Sequence, residues 1–161
     1  MIRFFKSIGI RKKFIKFETL IIFCISPYVF SDFEIWNSRG DESIKFYLDL
    51  KVITNEPLKV EKLIEEMVVF IKKTEPGTKF YEYYISEDKK KISLTEYYKN
   101  SDAAEKHVVD FLKGPYQETF FKLMEIESFQ VMGPASKNLI KSLDGITDDF
   151  RIEVDGFKRN F

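Results

Sequence analysis

From Ile44 to Val52 every second residue is apolar: Ile44, Phe46, Leu48, Leu50 and Val52 alternate with Lys45, Tyr47, Asp49 and Lys51. Successive side chains of a strand point to opposite faces, so this segment offers one face to a core and a mixed face to whatever lies opposite. Soon afterwards the period changes. Pro57, at a position where its fixed φ suits a helix start, opens a run in which Val60, Leu63, Ile64, Met67 and Ile71 recur at helical spacing. Glu61, Lys62, Glu65 and Glu66 fall mostly off that stripe. A half-buried strand followed by an amphipathic helix constrains the chain to a layered architecture, with helices covering one face of a sheet.

The remaining segments extend that plan. Glu75-Pro76-Gly77-Thr78 breaks the helix. The stretch FYEYYISEDKKKISLTEYY predicts a hairpin of strands 79–86 and 91–98. Ser101 is expected to cap the next helix, with Asp102 and Glu105 near its positive end. Ala104, His107, Val108 and Phe111 form the inner face of that helix. Gly114-Pro115 interrupts it, and Tyr116, Phe120, Leu123 and Met124 carry a second helical piece. Residues 126–132 read as a strand closed by Gly133-Pro134, Ser136 starts a short helix ending at Gly145, and residues 150–161 read as an extended tail.

The order β-α-β-β-α-β with a C-terminal appendage predicts an α+β, ferredoxin-like fold: an antiparallel sheet with helices on one face. Tyr and Phe occupy both faces of these strands. The second face is therefore expected to be buried too, most simply by another copy of the chain, as a homodimer.

Composition narrows the partners. The 161 residues are 44% apolar, with 17 Phe and 8 Tyr, enough bulk for one packed domain. Net charge is zero but uneven: residues 1–31 hold six Lys/Arg and one acid, net +5, which leaves net −5 on residues 32–161. An acidic domain repels phosphate backbones, so no nucleic-acid partner is expected. With Cys24 and His107 the sole residues of their kinds, an internal disulfide and thiolate- or histidine-rich metal sites are excluded.

Residues 1–31 start basic and run apolar from Leu20 to Phe30, eleven residues broken by Ser26 and Pro27. A stable membrane span needs about 20, so none is expected. Two readings fit. One is a signal peptide cleaved before Asp32, with Val29 and Ser31 at the positions read by the peptidase, which makes the protein exported. The other, favoured by Glu18 and Pro27, is a basic, aromatic extension on a cytoplasmic protein. Bulky Phe23 before Cys24 argues against a lipoprotein site. Residues 32–43 read as a linker and 44–161 as the domain.

The candidate chemistry lies in the hairpin and the helix after it. His107, on the inner stripe, is either a base or hydrogen-bond donor to a bound ligand, or a structural histidine bonded to a strand carboxylate or a carbonyl. Glu82 and Glu96 depend on register. If residue 86 faces 92, the two glutamates are cross-strand neighbours on one face, a costly pairing of like charges unless a proton or cation intervenes. Shifted by one residue, Glu82 faces Thr95, Glu96 faces Tyr81, and the conflict disappears. Tyr81, Tyr83, Tyr84, Tyr97 and Tyr98 suit a core, an interface or a pocket for a flat ring, each having an apolar body and a polar tip.

Residues 75–108 resemble the antibiotic biosynthesis monooxygenase family, whose members include quinol monooxygenases. The resemblance rests on Glu75-Pro76-Gly77-Thr78, Tyr81-Glu82, Glu87-Asp88, Glu96 with Tyr98, and Ser101, Ala104 and His107. It extends to the strand Phe129-Gln130-Val131-Met132-Gly133 and the ending Gly156-Phe157-Lys158-Arg159, spanning roughly residues 44–159. It implies a dimeric α+β barrel built from two ferredoxin-like subunits. Some members oxygenate aromatic or quinol substrates without metal or flavin, so no cofactor is expected. Such chemistry asks the pocket mainly to deprotonate an electron-rich phenol and keep it dry. The implied site has His107 and Glu82 as catalytic residues, with Tyr84, Glu96, Tyr98 and Phe111 against a small aromatic or quinol ligand. A non-catalytic dimeric binding or structural module of the same fold is the alternative. Haem breakdown is disfavoured: relatives that degrade haem use an Asn, a Trp and a His, whereas Trp36 precedes the domain and the first strand has no Asn before Asn55.

Overall fold

A computed structural model describes residues 40–156. The expected N-terminal extension and its cleavage site, Cys24, Trp36, most of the linker and the ending Phe157–Arg159 lie outside these residues. Within them the chain runs β1 (Ile44–Val52), α1 (Pro57–Thr74), β2 (Thr78–Ile85), β3 (Lys91–Tyr98), α2 (Ser101–Lys113), α3 (Gln117–Leu123), β4 (Met124–Met132), α4 (Lys137–Ser142) and β5 (Asp149–Arg151). The strands form one sheet in the order β2-β3-β1-β4-β5. This is the ferredoxin-like α+β arrangement expected, with β1 central and antiparallel to both β3 and β4.

Alternation in β1 places Ile44, Phe46, Leu48 and Leu50 in the core, where Val60, Leu63 and Met67 of α1 meet them. From β3, Ile92, Leu94, Glu96 and Tyr98 point the same way, and Ala104, His107 and Val108 of α2 cover them. No described helix lays an apolar stripe on the other sheet face. Its centre is Asp49, whose carboxylate accepts from the hydroxyls of Tyr47, Ser93 and Ser128 at 3.2, 2.9 and 3.2 Å.

Several local expectations are corrected. Asn100, not Ser101, caps α2: its side chain accepts from the Ala103 N–H at 3.1 Å, while Ser101 Oγ accepts from the Ser136 N–H instead. Met124, read as the end of a helical stripe, is the first residue of β4 and is fully buried. The tail is not merely extended, since Asp149–Arg151 pairs in parallel with Gln130–Met132 and makes the sheet mixed. A bulge opposite Asp49/Leu50 breaks the alternation of β4, so that Ile126 and Phe129, three residues apart, both reach the core side.

Candidate functional site

The hairpin settles into the shifted register: Tyr81 pairs with Glu96 and Glu82 with Thr95. The two glutamates therefore lie on opposite faces, and their predicted conflict does not arise. Glu96 turns inward and is 5% exposed. Glu82 turns outward, where its carboxylate accepts from the Tyr84 hydroxyl at 2.8 Å and both side chains are exposed. The alternation of β2 explains this, since Tyr81 and Tyr83 pack inward and Phe80, Glu82 and Tyr84 face away. Glu82 and Tyr84 are thus separated by the sheet from the other candidates.

Those others converge. His107, 5% exposed, stands between two buried carboxylates. Its Nδ1 lies 2.9 Å from Glu75 Oε2, which also accepts from Thr78 Oγ1 at 3.0 Å. A carboxylate only accepts, so Nδ1 carries the proton and donates it to Glu75. Nε2 lies 3.6 Å from Glu96 Oε1, too long for a hydrogen bond but short for an ionic contact. The other Glu96 oxygen accepts from the Tyr98 hydroxyl at 2.6 Å. Among the described residues no buried side-chain polar atom lacks a partner.

Burial alone would push the His107 imidazole down from its ordinary range, but Glu96 and then Glu75 outweigh it and hold it above that range. Glu96 is pushed up by burial, against the pull of His107 and the Tyr98 hydroxyl. Tyr98 and Tyr81 are raised well above the usual phenol range, first by burial, and both stay neutral. Tyr81 shares a 2.9 Å hydrogen bond with Tyr83, which closes that side of the cluster.

Glu96 and His107 form the polar end of a cavity of about 60 Å³ between the sheet and α1, α2 and α3. One water needs about 10–15 Å³ on this measure, so the space holds roughly four to six waters, and a benzene-sized ring, which fills about 150 Å³, enters only as the walls move apart. Five phenylalanines line it: Phe46, Phe111, Phe120, Phe121 and Phe129. Phe111 lies nearly parallel to the His107 ring, at 15° and 6.5 Å between centroids. The site therefore gathers His107, Glu96 and Phe111, with Tyr98 directly behind Glu96, and leaves out Glu82 and Tyr84.

Glu75 was absent from the expected site. Its place directly after a helix and before Pro76-Gly77 reads as an ordinary exposed break, and only the position of α2 buries it. Among the described residues no group of three acids, histidines or cysteines is placed to hold a metal ion. Glu75 and Glu96 approach opposite nitrogens of one ring and share no common point. Nor is any described helix long and apolar enough to cross a membrane.

This arrangement of strands and helices defines the class: an α+β domain with the fold of antibiotic biosynthesis monooxygenase-type proteins. No family model matches the sequence. No curated protein matches it either. The likeness lies in solved structures. MupZ from Pseudomonas fluorescens is similar over 73% of this chain and 95% of its own, with a TM-score of 0.60 at 18% identity. A candidate antibiotic biosynthesis monooxygenase from Caulobacter crescentus matches over 64% and 99%, with a TM-score of 0.52 at 20% identity. SnoaB, a cofactor-independent oxygenase from Streptomyces nogalater, matches over 60% and 96%, with a TM-score of 0.50 at 14% identity.

Proposed function

We propose that this domain is a monooxygenase acting on a small phenolic or quinol compound without a cofactor. The observation that carries this reading is the 3.6 Å gap between His107 Nε2 and Glu96 Oε1 at the end of an otherwise apolar cavity. A single oxygen atom set to one side of this pair can lie about 2.8 Å from both atoms and hydrogen-bond to each. A bound hydroxyl would accept from Nε2–H and donate its own proton to Glu96 Oε1. An imidazolium held by Glu75 then stabilises the phenolate left behind, in a space with few competing waters. An electron-rich phenolate passes an electron to molecular oxygen directly. In the overall conversion the ring loses one C–H and one O–H hydrogen, gains one oxygen as a carbonyl, and the second oxygen leaves as water. No external reductant enters the balance.

His107 is thus the orienting and charge-stabilising donor, Glu96 the base, and Glu75 and Tyr98 the residues that position them. Glu82 and Tyr84 have no part in this site. Phe80 and Tyr84, exposed on the outer face of the sheet, support a homodimer, the assembly in which such a chain would bury them.

Oxygen consumption with a hydroquinone or a simple phenol tests the reading. Uptake above that in buffer is expected, falling by about 10²–10⁴-fold in Glu96→Gln, the usual contribution of a positioned base, and lost in His107→Ala. Uptake no faster than in buffer would leave a non-catalytic binding module.

A further inference from the structure

We infer that the ligand of this cavity is a monophenol carrying an apolar chain para to its hydroxyl, bound hydroxyl-first with the chain emerging at the mouth. This rests on the reading above in one respect, that the hydroxyl sits between His107 and Glu96; the remainder comes from the walls and the rim. The charge pattern at the closed end selects the head group. A carboxylate would face Glu96, and an ammonium would face the imidazolium, each a buried like-charge contact. A neutral hydroxyl that both accepts and donates satisfies the two groups together.

The walls then limit what else the ring carries. Beyond Glu96 and His107, the cavity lining has a side-chain oxygen or nitrogen only in Tyr81, and that hydroxyl is engaged with Tyr83, while the Met67 sulfur is at most a weak acceptor. A second hydroxyl para to the first would point away from the polar end and lie among phenylalanines without a partner, a cost of about 1–3 kcal/mol. A simple hydroquinone is therefore a poorer fit than a ring with one hydroxyl.

The mouth supplies the rest. One turn along α2 from His107 lie Phe111 and then Leu112, and Leu112, Phe121 and Ile146 line the cavity while remaining 41%, 41% and 37% exposed. Exposed apolar side chains continuous with a buried apolar channel offer an alkyl chain a surface to cover as it leaves. A polar substituent at that position would lie against apolar side chains instead.

The test uses the full chain and a series of para-ethylphenol, para-butylphenol and para-hexylphenol, with binding followed by calorimetry and by the NMR signal of the single histidine. Each added methylene is expected to tighten binding roughly three- to fourfold until the chain passes the rim, the gain expected for burying one methylene. Hydroquinone and para-hydroxybenzoate are expected to bind more weakly than para-ethylphenol, and butylbenzene to leave the histidine signal unmoved. Leu112→Ser with Phe121→Ser should flatten the chain-length gain; because these side chains are partly exposed, a retained histidine signal reports that the fold survives. A flat series, or hydroquinone binding more tightly than para-ethylphenol, overturns the inference. The two proposals fail separately. A steep series without oxygen uptake supports the ligand class and overturns the enzyme, whereas oxygen uptake from phenols with a flat series does the reverse.

Discussion

His107 holds its proton more tightly than a free histidine because of what faces it from each packed element. Glu75 closes α1, Glu96 and Tyr98 come from β3, Tyr81 from β2, and Asp110 from its own helix. The three carboxylates raise its proton affinity, and burial opposes them. Both His107 and Glu96 are raised in the folded state, so the sign is the same for each. The stabilisation from each is fully present below its unfolded value, about 4.5 for a glutamate and 6.5 for a histidine, and is lost as pH rises through the folded one. The melting temperature is therefore expected to fall as pH rises above about 6.5, with a shallower fall in Glu96→Gln. The same charges make an NMR prediction. The His107 imidazole should titrate above the free histidine range, and both Glu96→Gln and Glu75→Gln should bring it down. A histidine titrating below 6.5 in the unmodified protein would mean that burial, not the carboxylates, controls the ring.

At the scale of elements, the site depends on how closely the turn after α1 meets the start of α2. A Cβ at Gly77 would stand 2.7 Å from Ala103 Cβ, and Ala103 has no flexible end to move aside. Gly77→Ala is therefore expected to separate the Glu75 turn from α2, at a cost of about 1–3 kcal/mol. Urea unfolding should show the loss, the His107 titration should move down as Glu75 withdraws, and Ala103→Gly should restore the titration in the double variant. Gly77→Ala behaving as the unmodified protein in both measurements would mean that this contact does not position Glu75. The elements themselves were legible in the sequence, because β1 and α1 obey clean periods and Pro57, Gly114 and Gly133 punctuate them. Glu96 and His107 were legible as candidates but not as neighbours, since their meeting required the hairpin register, which local pattern leaves open. Glu75 and the β4 bulge were not legible. Each depends on a contact between segments far apart in the chain, where an acid after a helix and an offset apolar pair look the same whether buried or solvated.

The whole molecule has two unlike sheet faces, and the outer one is unusual for a surface left to water. Phe80 and Tyr84 are 58% and 57% exposed, Phe80 stacks edge-on against Tyr97, and Lys45 lies over the Tyr97 ring. The one acid at its centre, Asp49, already has its carboxylate satisfied by three hydroxyls of the same face. A charge so provided can be covered without leaving its hydrogen bonds unmade, which lowers the main penalty of burying a polar sheet face. Two such faces related by a two-fold axis would place each aromatic cluster against its counterpart, and about 800 Å² per partner is the usual scale for a stable pairing. Sedimentation is expected to give twice the 19.1 kDa chain mass. Phe80→Glu combined with Tyr84→Glu, which sets like charges across the axis, should give single chains at micromolar concentration. The histidine titration should be unchanged in that variant, because the sheet separates these residues from the cavity. A single-chain mass for the unmodified protein would remove the dimer while leaving the His107 site, which one chain completes alone, open to its own tests.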